Sequence, residues 1–347
     1  MKINYTKIFV FVVISFVSNK IRAQQDPHYS QFMFNKLTYN PGFAGATDGK
    51  ICVSLLNRAQ WVGFGGKTVD GLAQGDAPSN LIGSINSALS SSSEKFLSRI
   101  GVGLTFSKDQ LGFETTVMPK LGLSYRHPFG DQNVLALGVG VGLMQKSLDG
   151  SKLKPQQSGD PKIPNVLVNG SATDIDLGLY YTKASLLGIF TEFYAGLSVT
   201  HLNQSKITYD WSGSTVVNNK MHYYFITGAE YAINNTLSLQ PNIIVKKDPA
   251  KIQTDLNCYL IWNQNIRGGL TWRPTDAVVV LGGYQFPSIG QDGKFGALYI
   301  GYSYDLTTSK IITYSSGSHE IIVRYCFGLK VPKKTRPIRA VVTPRFM

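Results

Sequence analysis

The chain has 347 residues, a mean hydropathy close to zero and a formal net charge of +13. After the first few dozen residues there is no apolar run of the roughly eighteen positions that a membrane-spanning helix needs, which excludes helical spans from the mature chain. The charge does not describe a nucleic-acid-binding face, because Lys2, Lys7, Lys20 and Arg22 lie at one extreme and Lys330, Lys333, Lys334, Arg336, Arg339 and Arg345 at the other.

Residues 1–23 read as a secretory leader. Lys2 and Lys7 precede the apolar run 8–17, and a cleavage position follows Ala23, with Ile21 larger than the small residue usual there. Its removal lowers the formal charge from +13 to +9.

Residues 24–49 are rich in Asn, Gln, Gly, Tyr and Phe and do not alternate cleanly, so they are not expected to form a lipid-facing strand. Asn40-Pro41-Gly42 favours a turn. Three roles remain open for this segment: a plug or periplasmic mouth whose amides satisfy inward polar groups, a contact for a partner or cargo, or a solvated lead-in. The candidate partner or plug residues are Tyr29, Phe32, Asn35, Asn40 and Pro41, with Arg58 and Trp61 at the outer end of the first strand. For Trp61 with Arg58 an anchor in an interfacial girdle is the preferred reading.

From residue 50 onward one pattern repeats. In 99–107, Ile100, Val102, Leu104 and Phe106 alternate with Gly101, Gly103, Thr105 and Ser107; in 134–144, Leu135, Leu137, Val139, Val141 and Leu143 alternate with Ala136, Gly138, Gly140 and Gly142. Side chains alternate faces along a strand, so each segment has one apolar wall and one small or polar wall. The division predicts a transmembrane antiparallel β-barrel over 50–328, with lipid outside and a polar or plugged interior. Its strands are expected near 50–60, 80–89, 99–107, 115–126, 134–146, 173–183, 189–201, 221–232, 236–246, 253–262, 266–273, 277–286, 296–305 and 318–328. This gives about fourteen, an even number as single-chain outer-membrane barrels require.

If the amino end is periplasmic, the long connections 61–79, 147–172, 202–220 and 306–317 lie outside, and short ones such as Asn234-Asn235 lie inside. The connections 90–98 and 287–295 are longer than that scheme prefers. Tyr125, Tyr181, Tyr223, Tyr284, Tyr304 and Tyr325 fall near strand ends, where girdles form. Glu192, Lys120, Arg126, Asp174, Asp176, Asp305 and Arg324 have inward parity. In the last strand Ile321, Val323, Tyr325 and Phe327 oppose Glu320, Ile322, Arg324 and Cys326. A basic tail, 329–347, follows; Pro332, Pro337 and Pro344 oppose a helix there. It reads as a solvated extension or as a contact for an acidic envelope partner.

Chemistry-bearing patterns are sparse. Cys52, Cys258 and Cys326 are distant and odd in number, so no disulfide framework or CxxC site is expected, only buried or lipid-facing thiols. His28, His127, His201, His222 and His319 have no metal-binding spacing, so no metal is expected. Gly65-Gly66-Lys67-Thr68 resembles the end of a phosphate loop, but Trp61 stands where such a loop needs glycine. The glycines between Gly138 and Gly142 lie within a strand and lack dinucleotide spacing. His319 stands between Ser318 and Glu320, whose side chains point to the opposite face. No catalytic role and no cofactor are expected.

Several motifs together resemble one family. Gln24-Gln25-Asp26-Pro27-His28-Tyr29-Ser30-Gln31-Phe32-Met33-Phe34-Asn35 is followed by Asn40-Pro41-Gly42-Phe43-Ala44-Gly45, then by Arg58-Ala59-Gln60-Trp61-Val62-Gly63-Phe64. Gly301-Tyr302-Ser303-Tyr304-Asp305 and Ser316-Gly317-Ser318-His319-Glu320 complete the set. In this order, from the leader to about Gly328, they resemble the PorP/SprF family of outer-membrane proteins of the type IX secretion system and its linked gliding machinery. The resemblance implies an accessory barrel needed for secretion or surface attachment of large cargo proteins, often adhesins. It also implies three kinds of partner: the translocon, periplasmic ring components and the carboxy-terminal domain of a cargo. Outer-membrane lipid surrounds the barrel, both termini are expected in the periplasm, and no nucleic acid is involved. A channel for small solutes is the alternative.

Overall fold

The computed structural model describes residues 26–47, 49–64, 77–89, 96–130, 133–153, 163–211, 216–286 and 296–328. The leader 1–23, the Gly65-Gly66-Lys67-Thr68 motif and the basic tail 329–347 lie outside the described residues.

Fourteen antiparallel strands close into one barrel. They are β1 (Lys50–Ala59), β2 (Ser79–Ala88), β3 (Ile100–Leu111), β4 (Glu114–Phe129), β5 (Asn133–Asp149), β6 (Leu167–Lys183), β7 (Phe190–Thr200), β10 (His222–Ala232), β11 (Leu237–Lys247), β12 (Ile252–Trp262), β13 (Ile266–Arg273), β14 (Ala277–Phe286), β15 (Ala297–Thr307) and β16 (Ser318–Gly328). Two short strands, β8 (Lys206–Thr208) and β9 (Val216–Asn218), pair with each other in the β7–β10 connection and take no part in the barrel. Each strand pairs with its neighbours in sequence, and β1 pairs with β16 to close the ring. Lys50 stands opposite Gly328, so the barrel domain begins and finishes at one end. We call this the entry end and the opposite one, where β1 finishes, the far end.

The alternation explains the wall. Leu135, Leu137, Val139, Val141 and Leu143 are exposed outward, while Ala136 and the glycines between them face the interior. Tyrosine and phenylalanine pairs collect near the entry end on the same outer surface: Phe129 with Tyr181 at 6.1 Å, Tyr284 with Phe286 at 4.7 Å and Tyr325 with Phe327 at 5.4 Å between ring centroids. Such belts suit the polar–apolar boundary of a bilayer. Val139→Arg places a charge at the middle of this wall and is expected to destabilise the barrel by about 2–4 kcal/mol, read as a lower urea midpoint in lipid vesicles.

The cysteines depart from expectation. Cys52 and Cys326 stand directly opposite across the β1–β16 seam, face the interior and form a disulfide with Cα atoms 4.1 Å apart. Their separation of 274 residues hid a pairing that only closure of the ring creates. Cys258 remains a free, exposed thiol. Because the crosslink joins the first and last strands, Cys52→Ser is expected to remove up to about 5 kcal/mol on the chain-entropy argument. A lower temperature for loss of the compact form on electrophoresis would register it.

Candidate functional site

The interior of the barrel is occupied by the chain itself. Asp26 lies at the far end, beside the residues that finish β7 and begin β10, and the segment from there to Thr47 descends the lumen to reach Lys50 at the entry end. It folds as three single turns, Phe32–Phe34, Lys36–Tyr39 and Pro41–Phe43. Asn40 starts the last of these: its Oδ1 accepts from the Gly42 amide at 2.8 Å, and Pro41 supplies a preset φ at the first helical position. Compact turns fit here because every backbone group removed from water must find a partner.

The glycine-rich inner wall makes room for these turns. A β-carbon at Gly138 would overlap the Pro41–Gly42 backbone, one at Gly178 would overlap the Asn40 amide, and one at Gly101 would overlap the Ala44 carbonyl. The Asn40 Nδ2 donates to the Leu179 carbonyl at 2.9 Å and to that of Leu197 at 3.2 Å, bridging β6 and β7. Ser124 Oγ donates to the Ala44 carbonyl at 2.7 Å and Ser198 Oγ to that of Tyr39 at 2.6 Å. Gly138→Leu is therefore expected to expel the Pro41 turn, detected as protease cleavage within 40–44 of the vesicle-inserted barrel. Gly140 is different: its β-carbon would press on Asp176 at 3.1 Å, so Gly140→Ser meets an ion pair and not open space.

Aromatic contacts fill the middle. Phe34 stacks on Tyr299 at 4.3 Å, Tyr39 packs on Tyr224 at 5.2 Å and Phe43 meets Tyr180 edge-on at 5.3 Å. The Lys36 ammonium lies 3.3 Å from the Tyr194 ring centre, a cation over a π face. Tyr29, Phe32, Asn35, Asn40 and Pro41 are all buried inside the barrel.

Toward the far end a buried ionic network holds the segment. Glu320 accepts from the Ser30 amide at 2.9 Å and from the Gln31 amide at 2.7 Å. Ser30 Oγ donates to Asp305 at 2.8 Å and accepts from Arg58 at 3.0 Å and Arg273 at 3.2 Å. Arg58 pairs with Asp305 at 2.7 Å and Glu320 at 3.2 Å, and Arg273 with Asp255 at 2.9 Å and Asp305 at 3.2 Å. His28 Nε2 meets Asp255 at 2.7 Å. Arg58 is thus not a girdle residue: it points inward and is 2% exposed. Trp61 follows in a turn at φ +51°, near Phe64, and lines a far-end cavity of about 200 Å³ with Arg58, His28 and Arg273.

Two further clusters lie beside this network. Lys120 pairs with Asp174 at 2.6 Å and Asp176 at 2.8 Å. Asp26 bridges two histidines, its Oδ1 3.0 Å from His201 Nε2 and its Oδ2 2.8 Å from His222 Nδ1, and Tyr224 donates to it at 2.7 Å. Burial raises the pKa of Asp26, but the two imidazoles outweigh burial and hold it well below the usual carboxylate range. Burial would lower His201, yet Asp26 and Asp174 push it up to about 10. The expectation of scattered histidines missed this meeting, because His201 and His222 occupy facing ends of adjacent barrel strands and Asp26 arrives from inside.

At the entry end a cavity of about 650 Å³ opens between the segment and the wall. Lys36, Arg126, Arg267 and Arg324 line it together with Glu192 and Glu230. All seven inward charges read from strand parity thus lie in the lumen, at one end or the other.

An apolar outer wall, a closed ring of fourteen strands and an interior packed with the chain's own amino-terminal segment define a membrane β-barrel of the outer-membrane type. No helix among the described residues is long and apolar enough to cross a membrane. The family model for the type IX secretion system membrane protein PorP/SprF matches residues 21–325, and the chain belongs to that family. Among solved structures the barrel is similar to the toluene transporter TbuX of Ralstonia pickettii, with TM-score 0.52, 12% identity and coverage of 84% of this chain and 93% of that one. It is also similar to a FadL homologue of Pseudomonas aeruginosa, with TM-score 0.48, 11% identity and coverage of 83% and 92%. No curated protein matches the chain.

Proposed function

We propose that this chain is an accessory barrel of the type IX secretion system that serves export or surface attachment of large cargo proteins, adhesins among them, and is linked to gliding. Its partners on this reading are the translocon, periplasmic ring components and a cargo's carboxy-terminal domain. The observation that carries the proposal is the match to the PorP/SprF family over nearly the whole chain. The filled lumen supports it, because segment 26–47 stands where an open conduit would need water. In this reading the entry end faces the periplasm, so Gly328 delivers the basic tail there, and Asp26 lies toward the cell surface. Residues 24–49 act as a plug. Comparison of the secretomes of wild-type and deletion strains tests the reading: loss of one or two large exported proteins is expected, and an unchanged secretome would overturn it.

The alternative is a channel for small solutes. TbuX is described as a toluene transporter, but at 12% identity the likeness extends to the fold alone. A large steady conductance of the intact protein in planar bilayers would favour the channel. The packed lumen supports a low one.

A further inference from the structure

We propose that Asp26, His201 and His222 form a binding site for a divalent transition-metal ion, zinc being the best fit, that fastens the lumen segment to the wall at the far end of the barrel. Three elements supply the ligands: the segment itself, the turn after β7 and the first residue of β10. One atom from each, the two imidazole nitrogens and a carboxylate oxygen, lies within 4.8 Å of the others. His201 Nε2 and His222 Nδ1 approach different oxygens of the Asp26 carboxylate, at 3.0 and 2.8 Å, so one carboxylate already faces both imidazole nitrogens. Two imidazoles and one carboxylate are a donor set found in zinc sites that keep an open position.

The surroundings carry the argument further. His201 presents Nε2 to the site while Nδ1 meets Asp174 Oδ1 at 2.7 Å, the carboxylate–histidine arrangement that orients metal-binding imidazoles. His201 is also held at φ +56°, its amide donating to Asp176 at 3.2 Å, so its ring direction is built into the turn. Tyr224 bonds the Asp26 carboxylate at 2.7 Å and would orient it in the same way. His222 is buried, and its Nε2 has no hydrogen-bond partner among the described residues, so Asp26 alone satisfies that imidazole. A cavity of about 310 Å³, lined by Asp26, His201, Asn219 and His222, adjoins the site and leaves space for a fourth ligand such as water.

A second trio, Asp174, Asp176 and His201, offers comparable spacing. There the Lys120 ammonium already sits 2.6 and 2.8 Å from the two carboxylates and takes the place of a cation.

The test uses the mature full-length protein, purified in detergent and stripped with a chelator. Zinc is titrated against a chromogenic competitor, and cobalt serves as a probe through its visible d–d absorption. One saturable ion per chain is expected. Asp26→Asn and His222→Gln should each weaken binding at least about tenfold, since even supporting residues around a metal typically matter by that much. Asp26 lies outside the barrel strands, so its variant tests the site with the ring intact, verified by heat-modifiable migration. Absence of stoichiometric zinc and cobalt uptake by the wild type would overturn the proposal. So would wild-type affinity in both variants, which would leave Asp26 as a simple ion-pair partner of two imidazoles.

Discussion

Arg273→Met lowers the stability of the inserted barrel by about 3–5 kcal/mol, the usual consequence of removing one member of a buried charge network. Arg273 is 2% exposed and reaches Asp255, Asp305 and Ser30 at once. Methionine keeps the aliphatic stem but, among the described residues, leaves Asp255 with only His28, and Asp305 with only Arg58 and Ser30. Arg273→Lys restores a charge without the planar fork that spans two carboxylates, so its loss should be intermediate. Urea titration in vesicles orders the three proteins. Equal midpoints for wild type and Arg273→Met would mean that lumenal water, and not the guanidinium, neutralises the two carboxylates.

The wall of this protein is legible because strand periodicity is local. Leu135 to Leu143 alternate with small residues, and the same rule gave Asp174, Asp176 and Asp305 their inward parity. All fourteen expected strands form, with ends displaced by at most a few residues except at β6, which starts at Leu167 and not near 173. The early start has a physical cause: the β7–β10 connection folds over this part of the far end, with Ile207 buried against Gly170 and Asp210 Oδ1 accepting from the Asn169 amide at 2.5 Å.

What fills the barrel was much less legible. Asp255 and Arg273 share the inward parity of Asp305, and reading all inward charges by their height in the wall would have placed the three together. No spacing along the chain joins Ser30 to Glu320 or Cys52 to Cys326, because those contacts exist only once β1 meets β16. The small inner wall of β5 pointed to a polar or plugged interior without saying which; Gly138 is the seat of the Pro41 turn, while Gly140 faces Asp176 and Gly142 faces Lys120. The clue available was the amide- and aromatic-rich stretch before the first strand, which had no lipid-facing pattern and enough bulk to need an interior.

Deleting residues 29–43 opens the barrel. The ring does not depend on the segment for its hydrogen bonds, since β1 pairs with β2 on one side and β16 on the other through uninterrupted registers. Loss of Phe34, Tyr39 and Phe43 leaves Tyr299, Tyr224 and Tyr180 facing an empty lumen, and loss of Asn40 and Pro41 empties the space above Gly138 and Gly178. Glu320 keeps Arg58 as its partner, so no buried carboxylate is stranded by the deletion. The truncated protein should therefore insert, migrate as a folded barrel and show a steady conductance several-fold above that of the intact chain. Cargo export should fail in the same strain if the segment also forms the surface that the secretion machinery recognises. Raised conductance with normal export would separate the two roles and reduce segment 24–49 to a seal, while unchanged conductance would show that the wall collapses inward or that the plug reading is wrong. Tryptic mapping of the truncated barrel distinguishes these last two, because a collapsed wall exposes strand residues such as Arg267 and Arg324 to cleavage and an intact one does not.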